Sequence, residues 1–167
     1  IGYLCLSGLS PQYWAPNGIK WWFILLTAGF LHGFHPETIN SVVPGGWSIA
    51  VEMNFYVILP FLMHKVNLRK ICGYFFVSLL CNLCFRVFCQ NFLSAYYDSD
   101  HQYLVSGFKY MGFFGQFPVF MMGLLTYFLL KHQRPWLPRA AVAVLLLLLS
   151  TVALAVMRIV PRVFFLN

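Results

Sequence analysis

The sequence is short of charge, and shortest of acid: Glu37, Glu52, Asp98 and Asp100 are the only carboxylate side chains among 167 residues, and charged residues make up 9% of the chain. Hydrophobic residues make up 60%, and the mean hydropathy is +0.74. Such a chain lacks the polar surface that a soluble fold must present to water. An ordinary water-soluble domain is therefore excluded, and lipid is the natural solvent. One membrane-embedded bundle over residues 1–167 is the expected organisation, because the figure of roughly 150 residues per soluble domain presumes an aqueous shell.

The excess of 11 Lys and Arg over four acids gives a net charge of +7. On a soluble surface that excess would suit nucleic acid. Here the cations gather at His64 to Lys70 and Lys131 to Arg139, between apolar runs, where the positive-inside bias puts them. No nucleic-acid partner is expected. The chain also lacks an initiator Met, a basic n-region and a cleavage site, so it reads as a piece of a longer protein in which a missing signal peptide carries no information. Its five cysteines are Cys5, Cys72, Cys81, Cys84 and Cys89. Cys81 and Cys84 form a C-x-x-C within apolar helical sequence, with no His or second pair nearby, and read as small packing residues, not as a metal or redox site.

A helix crossing the hydrocarbon needs about 20 mostly apolar residues. Spans are expected at Trp47 to Met63, Ile71 to Cys89, Met111 to Leu130 and Ala140 to Met157, each antiparallel to its predecessor. Trp21 to Phe34 is a shorter apolar run, and Ile1 to Leu9 reads as the tail of another crossing; Pro11, Pro16, Asn17 and Gly18 mark a turn between them. The fold class is thus an all-α multi-pass bundle of about five spans. The basic connections should be cytoplasmic, whereas His35 to Gly46 and Gln90 to Tyr110 should lie outside. Arg158 and Arg162 would then fall on the outer side, against the rule.

Only Glu52 and Arg86 put charge inside an expected span, where an unpaired charge costs at least about 2.5 kcal/mol. Ser48, Glu52, Tyr56 and Pro60 stand four apart and share a helix face. That stripe is expected to face the bundle interior or a wet cavity, where the carboxylate could act as a base or orient one. Pro44, Gly45 and Gly46 allow a sharp turn just before it. Glu52 and Arg86 should lie roughly 7 and 5 Å below the outer helix ends and are expected to pair. His32, His35 and Glu37 could ligate a metal, but in a connection the histidines read more simply as solvated loop residues.

The run Val43-Pro-Gly-Gly-Trp-Ser-Ile-Ala-Val-Glu-Met-Asn-Phe-Tyr, followed by Leu59-Pro60, resembles the W-S-[LI]-x-x-E-x-x-F-Y-x-x-x-P signature of the acyltransferase 3 family. Phe30-Leu31-His32-Gly33-Phe34 and Gln116-Phe117-Pro118-Val119-Phe120-Met121-Met122-Gly123 also look like that family, so the likeness covers about residues 20 to 130. It implies a bacterial-type inner-membrane O-acyltransferase with no bound cofactor. Its substrates would be acetyl-CoA or another acyl-CoA as donor and a carbohydrate of a cell-surface glycan or glycolipid as acceptor. Trp47, Ser48 and Glu52 would stand at the active-site cavity with Tyr56 in support: Glu52 and Ser48 in the chemistry, Trp47, Tyr56 and Arg86 at the substrate. The family's proposed catalytic His belongs to a first span that this chain lacks, so its partners would include missing N-terminal spans of the same protein. Lys65, Arg69 and Lys70 could meet the donor's phosphates. The rival classes are a transporter or channel, with Glu52 and Arg86 lining a path and Pro60 and Pro118 marking broken helices, or an inactive membrane homologue.

Overall fold

A computed structural model describes residues 9–64 and 66–131, together with Leu147 and Thr151. These residues are helical and irregular; the β pairing among them is an isolated bridge between Gln12 and Ala15. It closes the turn expected around Pro11 to Gly18, and Gly18 takes φ +79° there, a left-handed conformation that favours glycine. The expected segments at Ile1 to Leu9 and Ala140 to Met157 lie outside the described residues, apart from Leu9, Leu147 and Thr151. So do Cys5, Lys65, Arg158 and Arg162.

Helix α1, Trp21–Ala28, is only eight residues. At 1.5 Å per residue it rises about 12 Å, well short of a hydrocarbon core of about 30 Å. It stops where Gly29 and then Phe30, at φ 57°, leave the helical region. The apolar run to Phe34 therefore does not cross. A connection containing one 3-10 turn, His32–Phe34, leads to α2, Trp47–Met63. This helix has the expected bounds and its 17 residues run through Pro60.

Helix α3, Leu68–Phe88, begins three residues before the expected span because Asn67 caps it, accepting from the Lys70 N–H at 2.9 Å. It continues through a π-helical segment, Cys89–Leu93, and a last turn, Ser94–Tyr96. The expected outer connection Gln90 to Tyr110 is thus mostly helix. After a 3-10 turn at Ser99–His101, α4 occupies Gln102–Met111, and α5, Phe113–Lys131, follows a break at Gly112. The polar run from Asp98 to Gln102 suggests a loop, but Leu104, Val105 and Phe108 recur at helical spacing and are all buried.

Among the described residues two stretches are long and apolar enough to cross a bilayer: Leu68–Tyr96, 29 residues, and Ser99–Lys131, 33 residues. Only 22% and 28% of their apolar windows is buried within the chain. The core helix of a soluble protein would be mostly covered, so this surface calls for lipid or other helices. The main core joins Val51 and Phe55 of α2, Ile71 and Phe75 of α3, and Phe113, Met121, Leu125 and Phe128 of α5. Helix α5 packs most closely on α3 and also meets α2. Although α2 and α3 are consecutive, their backbones approach each other less than each approaches α5. The second core, Ile39, Cys89, Val105 and Phe108, ties the connection after α1 to α3 and α4.

Candidate functional site

The residues that open α2 are positioned by the connection preceding it. His32, Glu37, Thr38, Asn40 and Ser41 are all buried, so the expectation of a solvated histidine is corrected at His32. A buried connection must satisfy its own polar groups. Thr38 Oγ1 donates to the His32 carbonyl at 2.8 Å and lies 3.2 Å from that of His35. Asn40 Oδ1 accepts from the Gly45 N–H at 3.1 Å, and its Nδ2 reaches Met111 Sδ on α4. Asn54 Nδ2 reaches back from α2 to the Phe30 carbonyl at 2.7 Å.

His32 Nε2 lies 3.1 Å from the Gly46 carbonyl, which also accepts the first helical N–H of α2, from Ala50. The imidazole therefore bonds the same oxygen that starts the helix. Gly46 has no room for a side chain, since a Cβ there would stand 2.9 Å from the Val43 carbonyl oxygen and 3.3 Å from His32 Nε2. His32 Nδ1 is buried without a hydrogen-bond partner. Burial lowers the His32 pKa, with the Gly46 and Leu26 carbonyls opposing it. Burial also lowers that of His35, against the nearby Glu37 carboxylate and with Lys20 assisting. Tyr97, by contrast, is raised, by burial and then by the charge and hydrogen bond of Glu37. These residues do not converge as metal ligands: His35 packs edge-on against Trp22 and its Nδ1 accepts from the Glu37 N–H.

On α2, Tyr56 Oη donates to Glu52 Oε1 at 2.5 Å, the i to i+4 contact that the shared face allows. Ser48 Oγ turns back to the Gly45 carbonyl at 3.4 Å. Trp47 is half-buried, near the Tyr110 ring. The stripe Ser48, Glu52, Tyr56 and Pro60 is exposed on the described chain, so the interior or wet cavity expected around it is not formed by the described residues. Ala50, Val51 and Phe55 are the α2 side chains that are buried, and the last two enter the main core. Apolar residues take the side facing α5, and the polar stripe is left on the other. The stripe is bordered by exposed Ile49, Met53, Val57 and Phe61.

Glu52 and Arg86 do not pair. Glu52 accepts from Tyr56, and Arg86 Nε donates to Asn82 Oδ1 at 2.9 Å within α3. The expectation assumed that α2 and α3 were closely packed neighbours, whereas α3 packs chiefly on α5. Cys81 and Cys84 are free and exposed, so they are not packing residues within the described chain.

Asn82 was not singled out by sequence, although it is wholly buried. Pro118 has no N–H to offer the Phe114 carbonyl. Asn82 Nδ2 supplies the missing donor at 2.8 Å and meets the Gly115 carbonyl at 3.1 Å. At the Gly112 break, Gln116 Nε2 takes the Tyr110 carbonyl at 2.7 Å. The helices run through Pro60 and Pro118, so the prolines do not mark broken helices; the break lies at Gly112.

Comparison with protein-family models, with curated proteins and with solved structures finds no match. The likeness to acyltransferase 3 thus rests on the residues themselves.

Proposed function

We propose that this chain is the glutamate-bearing part of an inner-membrane O-acyltransferase that moves an acyl group, acetyl in the simplest case, from acyl-CoA to a carbohydrate hydroxyl. The observation that carries the reading is the placement of the motif. Trp47, Ser48, Glu52, Phe55, Tyr56 and Pro60 fall on one helix, with the Glu52 carboxylate held by the Tyr56 phenol. In the transfer, the acceptor hydroxyl oxygen bonds to the thioester carbonyl carbon, the C–S bond breaks, and the hydroxyl proton ends on the departing CoA sulfur.

Glu52 orients and polarises the base that moves this proton, a role suited to a carboxylate fixed by one short hydrogen bond. Tyr56 holds Glu52, and Ser48 and Trp47 line the approach one turn earlier. Arg69 and Lys70, at the start of α3, offer cations to the donor's phosphates. Exposure of the Glu52 stripe fits a site completed by further helices, since a carboxylate is costly against lipid.

In full-length protein, Glu52→Gln should cut incorporation of labelled acyl groups into the glycan by about 100-fold or more, with membrane insertion unchanged. Tyr56→Phe should cause a smaller loss. Undiminished incorporation by a well-inserted Glu52→Gln protein would remove Glu52 from the mechanism.

A further inference from the structure

The outer part of α3 holds a cation whose role the Glu52 site does not explain. Arg86 is half-buried, and its Nε is tied to Asn82 Oδ1. The orientation of the Asn82 amide is set from the other side, because its Nδ2 must face the carbonyls of Phe114 and Gly115. The guanidinium is thereby anchored at one edge, leaving four N–H donors on Nη1 and Nη2. No hydrogen bond engages them among the described residues.

A second cation is held one helical turn further along. Lys109 of α4, also half-buried, donates through Nζ to Gln90 Oε1. Gln90 stands four residues after Arg86, inside the π-helical segment Cys89–Leu93, a backbone feature found often at functional sites. Through Gln90 the Lys109 ammonium is brought to the helical turn that follows Arg86. Neither cation has a carboxylate partner among the described residues. Two cations brought to neighbouring turns in a partly desolvated place repel unless an anion joins them.

We infer that Arg86 and Lys109, with Gln90 beside them, form a binding site for a phosphate group at the membrane surface. Arg86 follows Leu68 by 18 positions in the sequence, a rise of about 27 Å, so it reaches the headgroup level of a hydrocarbon core about 30 Å thick. Exposed Phe92, Tyr96 and Tyr110 flank that level, as interfacial aromatics do. A planar guanidinium with free Nη groups suits two phosphate oxygens, and an ammonium suits a third. The phosphate is a lipid headgroup's or a free one; the inference is independent of the acyl-transfer reading.

The test is thermal unfolding of the purified full chain in a neutral detergent, with either phosphatidylglycerol or inorganic phosphate added at constant ionic strength. Saturable stabilisation is expected in at least one arm. Phosphatidylglycerol acting alone identifies a lipid headgroup, and both acting identifies the phosphate itself. In Lys109→Gln the half-saturating concentration should rise at least tenfold, whereas Lys131→Gln should behave as the parent. Arg86→Gln should do the same as Lys109→Gln; if it fails to fold, Lys109→Gln decides. No saturable effect in either arm, or an unchanged half-saturation in Lys109→Gln, would overturn the inference.

Discussion

Where α3 meets α5 the buried side chains are mostly apolar, Ile71, Phe75, Phe113, Met121, Leu125 and Phe128, with Ser78 and Asn82 among them; in the connection before α2 the polar His32, Glu37, Thr38, Asn40 and Ser41 are buried beside Ile39 and Val42. Both regions exclude solvent, by opposite means. The helix pair fills space with apolar atoms. The connection bonds its side chains to its own backbone, as Thr38 does to His32 and Asn40 to Gly45. In lipid, apolar contact brings little hydrophobic gain, because the acyl chains are as apolar as the partner helix. The polar contacts therefore select one geometry out of many. Apolar packing brings α3 and α5 together, and Asn82 fixes where they meet.

The largest effect should come from removing that one polar residue from the apolar pair. Asn82→Leu leaves the Phe114 and Gly115 carbonyls and Arg86 Nε without their partner. At about 1 kcal/mol for each group, the loss is about 3 kcal/mol. Met121→Leu, a volume-conserving change at a buried position of the same contact, should cost less than about 1.5 kcal/mol. Equilibrium unfolding in mixed micelles measures both. If Asn82→Leu proves the milder of the two, packing alone holds the pair and the comparison fails.

The next effect lies in the connection and separates two kinds of glycine. Gly46→Ala forces a Cβ against the Val43 carbonyl and His32, a collision expected to cost about 2 kcal/mol. Gly45→Ala meets nothing within 4 Å but must hold φ +76°, which costs about 1 kcal/mol. Unfolding midpoints of the two variants give the order. Equal losses would mean that the connection relaxes around Gly46, and that His32 does not hold the start of α2 in place.

The two regions also differed in how far they could be read beforehand. Helix α2 was legible to the residue, because Pro44-Gly45-Gly46 precedes it and a basic cluster follows it. The body of α3 was legible as an apolar run, and its earlier start was signalled by Asn67, a good capping residue that hydropathy does not weigh. The connection was misread because polar residues between apolar runs are ordinarily solvated. Their burial depends on Cys89, Val105 and Phe108, which are distant in sequence. For the candidate site, the shared face of Ser48, Glu52 and Tyr56 followed from spacing alone. Its direction did not, because Val51 and Phe55 turn inward only once α5 is known to pack there. Asn82 left one faint trace, a lone amide in an apolar span with a proline in a later one.

The smallest effect is a dependence on pH, confined to the polar region. The pKa values of His32 and His35 are lowered from 6.5, chiefly by burial. An unfolded chain therefore takes up protons at these two positions at a higher pH than the folded chain does. Their contribution to stability is fully present above about pH 7.5 and falls as pH drops through 6.5 toward the folded values, because the unfolded state then binds more protons. For His35 the Glu37 carboxylate counteracts the shift and Lys20 adds to it; for His32 the Gly46 and Leu26 carbonyls counteract it. The unfolding midpoint should thus decline between pH 7.5 and 5.5 and stay level from 7.5 to 8.5. His35→Gln should flatten the decline in part, and adding His32→Gln should flatten it further. The helix pair predicts no such slope of its own, since its buried side chains Ile71, Phe75, Phe113, Met121, Leu125 and Phe128 carry no ionisable group. A decline that survives both substitutions would place the acid sensitivity outside the connection and dissolve this last distinction between the two regions.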